Sequence, residues 1–461
     1  MSQHSSGALS DVPEDGPITT PRSPDPSSPY FSPTHQAAAS TSTFHGASPP
    51  PGSSSATGTN NQAVQSSSVS RKSSGSVRLG REATGSNGSL RKQALAPSRS
   101  SGSLAPPRDK KRSSTDSSGK PKIRILPRLP HSKDVELVPT TGMYWSKAPV
   151  YGHLPTRGLR ANSTTLVDNV VWIFGGCDDT QCWNDVYCFD TETMRWSYPQ
   201  MMGDIPLPCR AHSATLVDRK IVVFGGGEGP IYFDKTYVLD TITRRWKMIK
   251  IDGILPAPRR AHSAVLYKNK IWVFGGGNGM QALNDVWTLD VGNGIDKVRW
   301  EKVETKGKKP SERGYHSANL VGSVMVIIGG SDGTECYSDI WCLDLNSVTW
   351  KEVPYEGEGY RRLSHTATQV GSCLFVVGGH NGSVYTGENI FFNLVSLQYE
   401  PRIVYGKPPS SRGYHSAIVT DSRLFIFGGF NGRDNFEDVH VLDLAGAAYL
   451  PQVMSFEIDV T

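Results

Sequence analysis

Residues 262–276 read HSAVLYKNKIWVFGG, and this stretch decides the fold of the chain. It holds a His-Ser pair, a short apolar run, a polar turn at residues 268–270, a second apolar run and a double glycine. Two short runs of Val, Ile and aromatic residues that are separated by a polar turn are typical of an antiparallel strand pair. The double glycine indicates a crowded strand end, because glycine lacks a Cβ and tolerates positive φ.

The same arrangement occurs six times in the chain. The double glycines begin at Gly175, Gly225, Gly275, Gly329, Gly378 and Gly428, at successive spacings of 50, 50, 54, 49 and 50 residues. The upstream pair is Asn162-Ser163 in the first copy and starts in the others at His212, His262, His316, His365 and His415. An Asp or Asn and then an aromatic residue follow each double glycine. A period of this length is typical of a repeat architecture.

Each copy predicts four antiparallel strands. One follows the His-Ser pair, one ends at the double glycine, one ends at the Asp or Asn, and one starts at the aromatic residue. A four-stranded sheet of this size cannot bury both faces alone, but six such sheets arranged radially stack face to face. We therefore expect an all-β, six-bladed β-propeller over residues 141–449.

The two ends of the repeat region are expected to meet in one blade. Trp145 precedes the first repeat at about the distance at which an outer-strand tryptophan precedes the next repeat. Residues 142–150 are therefore predicted to complete the sixth blade, and Tyr449 is the competing candidate for that strand. Residues 450–461 are expected to form a C-terminal tail.

These columns resemble the kelch repeat, in which an apolar run, a double glycine and an aromatic column ending in Trp recur at this period. The resemblance covers residues 141–449 and all six copies. It implies a six-bladed kelch β-propeller that binds partner proteins, such as cytoskeletal and polarity factors, small GTPases or substrates of ubiquitin ligases. The 461 residues contain neither the BTB domain of ligase adaptors nor the long coiled coil of polarity-marker kelch proteins, which weakens both subtypes.

The N-terminal part of the chain has a different composition. Residues 1–120 contain 31 Ser and no Trp or Cys. Such a segment cannot bury enough apolar surface to offset the entropy of ordering, so we expect residues 1–135 to form a disordered Ser/Pro-rich arm. The net charge of +5 is the sum of unlike regions, because residues 71–130 carry 15 Lys and Arg against three Asp and Glu.

The arm is predicted to be phosphorylated and to attract anionic partners. Candidate phosphorylation sites precede Pro or follow basic residues, and they are Ser23, Ser28, Ser32, Ser48, Ser74, Ser113 and Ser114. The basic residues 71–130 are a candidate contact for an anionic membrane surface or a nuclear import receptor. A solvated linker without a partner is the alternative. No aromatic residues are interleaved, so specific nucleic-acid recognition is not expected.

The partner-binding residues are expected on the loops after the double glycines and between the blades, which share one end of a meander. Aromatic side chains are preferred contact anchors, and those on these loops are Trp183, Tyr232, Phe233, Tyr337, Tyr385, Phe430 and Phe436. The interblade loops carry Arg160, Arg210, Arg259, Arg260, Arg313, Arg362 and Arg412. Arginines near a channel mouth can hold acidic side chains or phosphate. The alternative is a structural role, with bonds to backbone carbonyls and acids of the blades.

Catalytic residues, metal ligands and cofactors are not expected. The histidine column is spread around a ring and cannot converge on one ion, so hydrogen bonding within a blade is the expected role of each histidine. The polar N-terminus does not read as a signal peptide, and the seven Cys are expected as thiols of a reducing compartment. The sequence thus predicts a non-catalytic scaffold of the cytoplasm, with the nucleus and cell cortex as further locations. The alternatives are a substrate-recognition subunit of a ubiquitin ligase and an enzyme or small-molecule binder that uses the channel mouth.

Overall fold

The computed structural model describes residues 142–444 and Ile458. Six sheets follow one another along residues 142–444, each built on a four-stranded antiparallel meander, and their inner strands contact one another in a closed ring. The predicted all-β, six-bladed propeller is confirmed. The arm at residues 1–135 with its candidate serines, the strand at Tyr449 and the tail other than Ile458 lie outside the described residues. The described part of the chain contains no helix that could span a membrane.

The first three blades follow one another in chain order. The inner, second, third and outer strands are Ser163–Val167, Val170–Phe174, Val186–Asp190 and Arg195–Ser197 in blade I, Ser213–Val217, Lys220–Phe224, Thr236–Asp240 and Arg245–Ile249 in blade II, and Ser263–Tyr267, Lys270–Phe274, Val286–Asp290 and Arg299–Val303 in blade III. Blade II adds a short hairpin after its double glycine, formed by Gly227–Glu228 and Ile231–Tyr232.

Blades IV to VI repeat this order, except that the last outer strand comes from the start of the described chain. The strands are Ser317–Val321, Val324–Ile328, Ile340–Asp344 and Thr349–Val353 in blade IV, Thr366–Val370, Cys373–Val377, Asn389–Asn393 and Gln398–Glu400 in blade V, and Ser416–Thr420, Arg423–Phe427, Val439–Asp443 and Met143–Lys147 in blade VI. Met143–Lys147 runs antiparallel to Val439–Asp443, with Trp145 opposite Leu442. Strands from both ends of the propeller therefore share one sheet.

The core lies between neighbouring blades. Each second strand lies between two parts of this core and packs its alternate residues into one part or the other. All five residues of Val324–Ile328 are buried. Val326 packs into the cluster that blade IV shares with blade V, whereas Ile327 packs into the cluster that it shares with blade III. Because both faces of such a strand are covered by other sheets, its sequence is a continuous apolar run instead of an alternating pattern.

The double glycines are crowded, as the sequence predicts. Gly225 has a φ of +69°, and a Cβ added there would lie 2.6 Å from the Arg259 carbonyl oxygen and 2.8 Å from Cε1 of His262, both of the next blade. Gly226 has a φ of +88°, and its added Cβ would lie 2.9 Å from Cβ of His212 in its own blade. A side chain at either position would collide with a neighbour, so the pair sets the close approach of adjacent blades.

Within residues 142–444, three blades carry a fifth, parallel strand on their outer edge. These strands come from the interblade loops and are Tyr151–Gly152 on blade I, Met202–Gly203 on blade II and Val404–Gly406 on blade VI. Gly203 approaches the outer strand so closely that an added Cβ would lie 2.1 Å from the Trp246 carbonyl oxygen. The added strands pair part of the edge that an open sheet would leave exposed.

A closed ring of backbone hydrogen bonds surrounds the central channel. In each blade the residue before the His or Asn column donates its N–H to the carbonyl of the equivalent residue in the preceding blade, at 2.8 or 2.9 Å. These residues are Ala161, Ala211, Ala261, Tyr315, Ser364 and Tyr414, and all six have a φ between +53° and +60°. Positive φ in residues other than glycine is unfavourable. The closed ring supplies the hydrogen bonds that hold them there.

Candidate protein-interaction surface

The loops after the double glycines and the loops between blades lie together at one end of the propeller, called here the long-loop face. In every blade one antiparallel bridge joins the two kinds of loop. The bridged pairs are Arg160 with Cys177, Arg210 with Gly227, Arg260 with Gly277, Gly314 with Ser331, Leu363 with His380, and Gly413 with Phe430. The two loops of a blade therefore form one surface, as the alternating connections of a meander require.

Side-chain hydrogen bonds fix the tips of the hairpins that follow the double glycines. The Oδ1 of Asn278 accepts hydrogen bonds from the backbone N–H groups of Met280 and Gln281, at 3.0 and 2.9 Å. The residues that form the same Asx turn in other blades are Asp178, Asp332, Asn381 and Asn431. Since these tips are already ordered, a contact through them loses little conformational entropy.

The long-loop face exposes more large apolar side chains than the opposite end of the blades. On the hairpin tips, Ile231, Met280 and Val384 are 59%, 77% and 59% exposed. The interblade loops add Leu154, Ile205, Leu207, Ile254 and Tyr360. Among the described residues, the opposite end exposes Ile242 and Val395 on tight turns, and Tyr151, Met202 and Ile403 beside the starts of outer strands. Apolar surface gathered on one face is characteristic of an interaction site.

Four of the predicted arginines are held inside the blades. The side chain of Arg259 is fully buried, and its Nη1 and Nη2 donate to the two carboxylate oxygens of Asp285 at 2.7 and 2.9 Å. Nη1 also donates to the Gly275 carbonyl at 3.1 Å. Arginine–carboxylate pairs also form between Arg313 and Asp339, Arg362 and Glu388, and Arg412 and Asp438. These contacts give the four arginines a structural role, the alternative that the sequence left open.

The carboxylates that bind these arginines form a further column that sequence reasoning missed. They stand ten residues after the first glycine of each pair, and are Asp185, Asp285, Asp339, Glu388 and Asp438. The column is visible in the sequence, where only the second copy departs from it, with Lys235. Blade I has no arginine at the position of Arg259, and its acid, Asp185, instead accepts a hydrogen bond from Arg157 at 2.6 Å.

The other three predicted arginines lie at the channel mouth on blades I to III. Arg160, Arg210 and Arg260 are buried. Their hydrogen-bond partners include Asp179 and Asn435 for Arg160, Cys177 for Arg210, and the Gly229 carbonyl for Arg260. The equivalent positions on blades IV to VI are Gly314, Leu363 and Gly413. In this arginine column the guanidinium groups therefore lie on blades I to III.

The predicted aromatic residues fall into two groups. Trp183, Phe233, Tyr337 and Phe436 stand eight residues after the first glycine, whereas Tyr232, Tyr385 and Phe430 stand seven, seven and two residues after it. Guanidinium carbons lie over five of these rings: Arg157 over Trp183 at 3.2 Å, Arg412 over Phe436 at 3.8 Å, Arg160 over Phe430 at 4.1 Å, Arg313 over Tyr337 at 4.3 Å and Arg260 over Tyr232 at 4.6 Å. Such cation–π contacts stabilise the loops and leave the tips as the exposed part of the face.

The histidines link neighbouring blades. The expectation of bonding within one blade is wrong, because His262 Nε2 lies 2.9 Å from the Ser213 hydroxyl of the preceding blade. The same contact joins His212 to Ser163, His316 to Ser263, His365 to Ser317 and His415 to Thr366, and Asn162 to Ser416 closes the circle. The inner strands stand side by side around the channel, so the neighbouring hydroxyl is the one within reach.

Burial keeps these imidazoles neutral. Loss of hydration lowers the pKa of His212 to about 4, and burial together with the charge of Arg259 lowers the pKa of His262 to about 3. No group of three or more potential metal ligands occurs among the described residues. The buried histidines therefore act as structural links between blades.

The six radial blades form a β-propeller that presents ordered hairpin loops on one face. A family model described as the KLHDC2/KLHL20/DRC7 Kelch-repeats domain matches residues 127–330, 232–396 and 293–453. The chain belongs to the kelch-repeat family, whose members are generally protein-interaction scaffolds and typically non-catalytic.

Curated relatives show where the likeness is strong. Kelch domain-containing protein 3 of Rattus norvegicus is 33% identical over 346 residues, which cover 68% of this chain and 76% of that protein. Tip elongation aberrant protein 1 of Schizosaccharomyces pombe is 25% identical over 169 residues, 34% of this chain and 14% of that protein. Acyl-CoA-binding domain-containing protein 6 of Oryza sativa subsp. japonica is 28% identical over 164 residues, 32% of this chain. The match covers 24% of the rice protein, about a quarter of its length.

Proposed function

We propose that the chain binds a partner protein through the exposed apolar side chains of its long-loop face. The observation that carries the proposal is the presence of exposed apolar side chains on ordered hairpin tips of this face. Met280 and Val384 stand 77% and 59% exposed on tips held by Asx turns, so their burial by a partner gains apolar area at low entropic cost.

The experiment compares two matched double variants by affinity capture from the native cells with quantitative mass spectrometry. Met280→Asp with Val384→Asp changes the long-loop face, and Ile242→Asp with Val395→Asp places the same charges on the opposite end. We expect the first variant to lose the main captured protein and the second to retain it. Equal capture by both variants would overturn the proposal.

The partner class is proposed from the family. Relatives include a Rab9 effector protein with kelch motifs of Mus musculus, 26% identical over 169 residues, and the tip elongation protein described above. The words "Rab9 effector" and "tip elongation" in these names support a signalling or cell-polarity role, and we propose the cytoplasm as its location. The arm at residues 1–135 is proposed to carry phosphate that weakens its basic contacts, since each phosphate adds about −1.5 to −2 charges. Intact-mass measurement of protein from native cells tests this, and the absence of phosphate on the arm would refute it.

A further inference from the structure

Blade II departs from the other blades where the arginine–carboxylate pair belongs. Cys209 stands three residues before its histidine, at the place of Arg259, Arg313, Arg362 and Arg412. Lys235 stands ten residues after its first glycine, at the place of the carboxylates. The repeat thus loses a long planar cation and reverses the charge of the group that binds it.

The missing arginine leaves a cleft at the long-loop end of blade II. The cleft is open to solvent and has a volume of about 40 Å³. The residues that line it are Pro206, Leu207, Cys209, Val223, Gly225, Phe233, Lys235 and Tyr237. Leu207 is 63% exposed and Ile205 is 47% exposed on the same interblade loop. An apolar cleft whose loop is itself apolar and exposed is a suitable place for a side chain of another molecule.

The other blades show what kind of group fits at the position of this cleft. Phe233 belongs to the aromatic column that lies beneath a planar guanidinium in other blades, at 3.8 Å for Phe436 and 4.3 Å for Tyr337. In blade II the short Cys209 side chain turns to His212 instead, with its Sγ 3.4 Å from Nδ1. The cleft is therefore suited to a flat group that stacks on the Phe233 ring.

The charged groups near the cleft are Lys235, which lines it, and the acids Asp204, Glu228 and Asp234. A guanidinium placed here would lack the carboxylate that binds it elsewhere and would meet the ammonium of Lys235. Lys235 forms an ion pair with Asp234 at 3.1 Å, and both side chains are partly exposed, at 57% and 32%. Exposed pairs of this kind contribute little, about 0–1 kcal/mol. A carboxylate from another molecule can therefore compete with Asp234 for Lys235.

We propose that the blade II cleft binds a partner protein segment that inserts an aromatic side chain against Phe233 and places an adjacent Asp or Glu on Lys235. Aromatic rings gain most from such a slot, because they bury a large apolar area and stack. This site rests on the proposed function, since Leu207 belongs to the same long-loop face, but it uses residues other than the tips of blades III and V, so the two failures are distinguishable.

The test selects peptides from a random phage-displayed library on the full chain, with counter-selection on Cys209→Arg combined with Lys235→Asp. This double variant rebuilds the arginine–carboxylate pair that fills the other blades. Selected peptides are then measured by fluorescence polarisation on the wild-type chain, the double variant, Leu207→Glu on the exposed rim, and Ile242→Asp on the opposite end as control. Thermal unfolding of each variant shows that it is folded.

We expect the enriched peptides to share an aromatic residue next to Asp or Glu. Their affinity should fall at least tenfold on the double variant and on Leu207→Glu, and remain unchanged on Ile242→Asp. Met280 and Val384 are intact throughout, so a failure here leaves the proposed function standing. Peptides that bind all variants equally, peptides without the aromatic residue, or the recovery of no peptide that depends on the cleft would overturn the inference.

Discussion

Blade II and blade III are consecutive copies of one repeat, and they close their long-loop ends by different means. Blade III buries Arg259 completely and binds it to both carboxylate oxygens of Asp285. Blade II has Cys209 and Lys235 at these positions and a cleft of about 40 Å³ in place of the pair. Both blades keep the same four strands and the same histidine contact to the preceding blade.

The difference shows that strand pairing and interblade packing specify a blade, while the ion pair is an addition at one end. A buried pair is a weak source of net stability, although removing one partner leaves a costly unpaired charge. Blade II avoids that penalty because both partners are changed together. The position is consequently open to another use, which a repeat with the intact pair does not permit.

The largest expected effect tests what the two blades share. The folded-state pKa values of His212 and His262, about 4 and about 3, lie below the ordinary value of 6.5. Below pH 6.5 the unfolded chain takes up protons that the native chain refuses, so stability falls until the folded pKa is reached. Each such histidine should remove about 2 kcal/mol between pH 8 and pH 5. Burial also lowers the pKa values of His365 and His415 to about 3, so these four histidines together should remove about 8 kcal/mol.

Urea denaturation at pH 8 and pH 5 measures this loss. His212→Asn and His262→Asn, which place in blades II and III the asparagine that blade I has at Asn162, should each reduce the pH dependence by about one proton. Equal reductions would show that the ring works alike in both blades. A pH dependence unchanged by either substitution would show that these imidazoles do not titrate as described.

The next effect separates the blades. Arg259→Ala leaves the part-buried Asp285 without its cation, and we expect a loss of about 3–5 kcal/mol in the free energy of unfolding. Cys209→Ala removes one small buried thiol and should cost about 1 kcal/mol. Urea denaturation at pH 7 compares the two variants directly, and similar losses would contradict the structural role assigned to the pair.

A third pair of substitutions compares the loops that enter these blades. Gly203 precedes blade II with a φ of +85°, and an added Cβ would lie 2.1 Å from the Trp246 carbonyl oxygen. Gly253 precedes blade III with a φ of +101°, and a Cβ added there would have no atom of another residue within 4 Å. Gly203→Ala should cost about 3 kcal/mol, through strain and a collision, and Gly253→Ala about 1 kcal/mol through strain alone.

Melting temperatures of the two alanine variants show which loop is constrained. Blade II carries the parallel strand Met202–Gly203 on its outer edge, so the larger drop belongs to Gly203→Ala. The reverse order would mean that the parallel strand contributes little to blade II.

The smallest effect concerns single hydrogen bonds between blades. Ser213→Ala removes the partner of His262 at 2.9 Å, and Ser163→Ala removes the partner of His212 at 2.8 Å. Each buried hydrogen bond of this kind contributes about 1 kcal/mol. Chemical denaturation should give similar losses for both variants, and a difference above about 1 kcal/mol would show that Cys209 alters the ring in blade II.

Much of this fold can be predicted from the spacing of repeated residues in the sequence. The double glycines and the strand pattern around them predict six blades, and the Trp145 position predicts an outer strand near residues 142–150, where the structure has Met143–Lys147. The arginine column was also visible, but its role was not. A guanidinium on a loop looks the same in sequence whether it is exposed or bound, and only the fold brings Asp285 within 2.7 Å of Arg259 across 26 residues.

The sequence by itself determined the repeat, the number of blades and the family, because strand periodicity and glycine requirements are local. The tertiary structure alone decided the ring of positive φ at residues such as Ala211, the histidine contacts from blade to blade, and the cleft beside Phe233. Each of these depends on residues of different loops or blades that meet only when the ring closes. Contacts between distant residues are fixed by packing, and no local pattern records them.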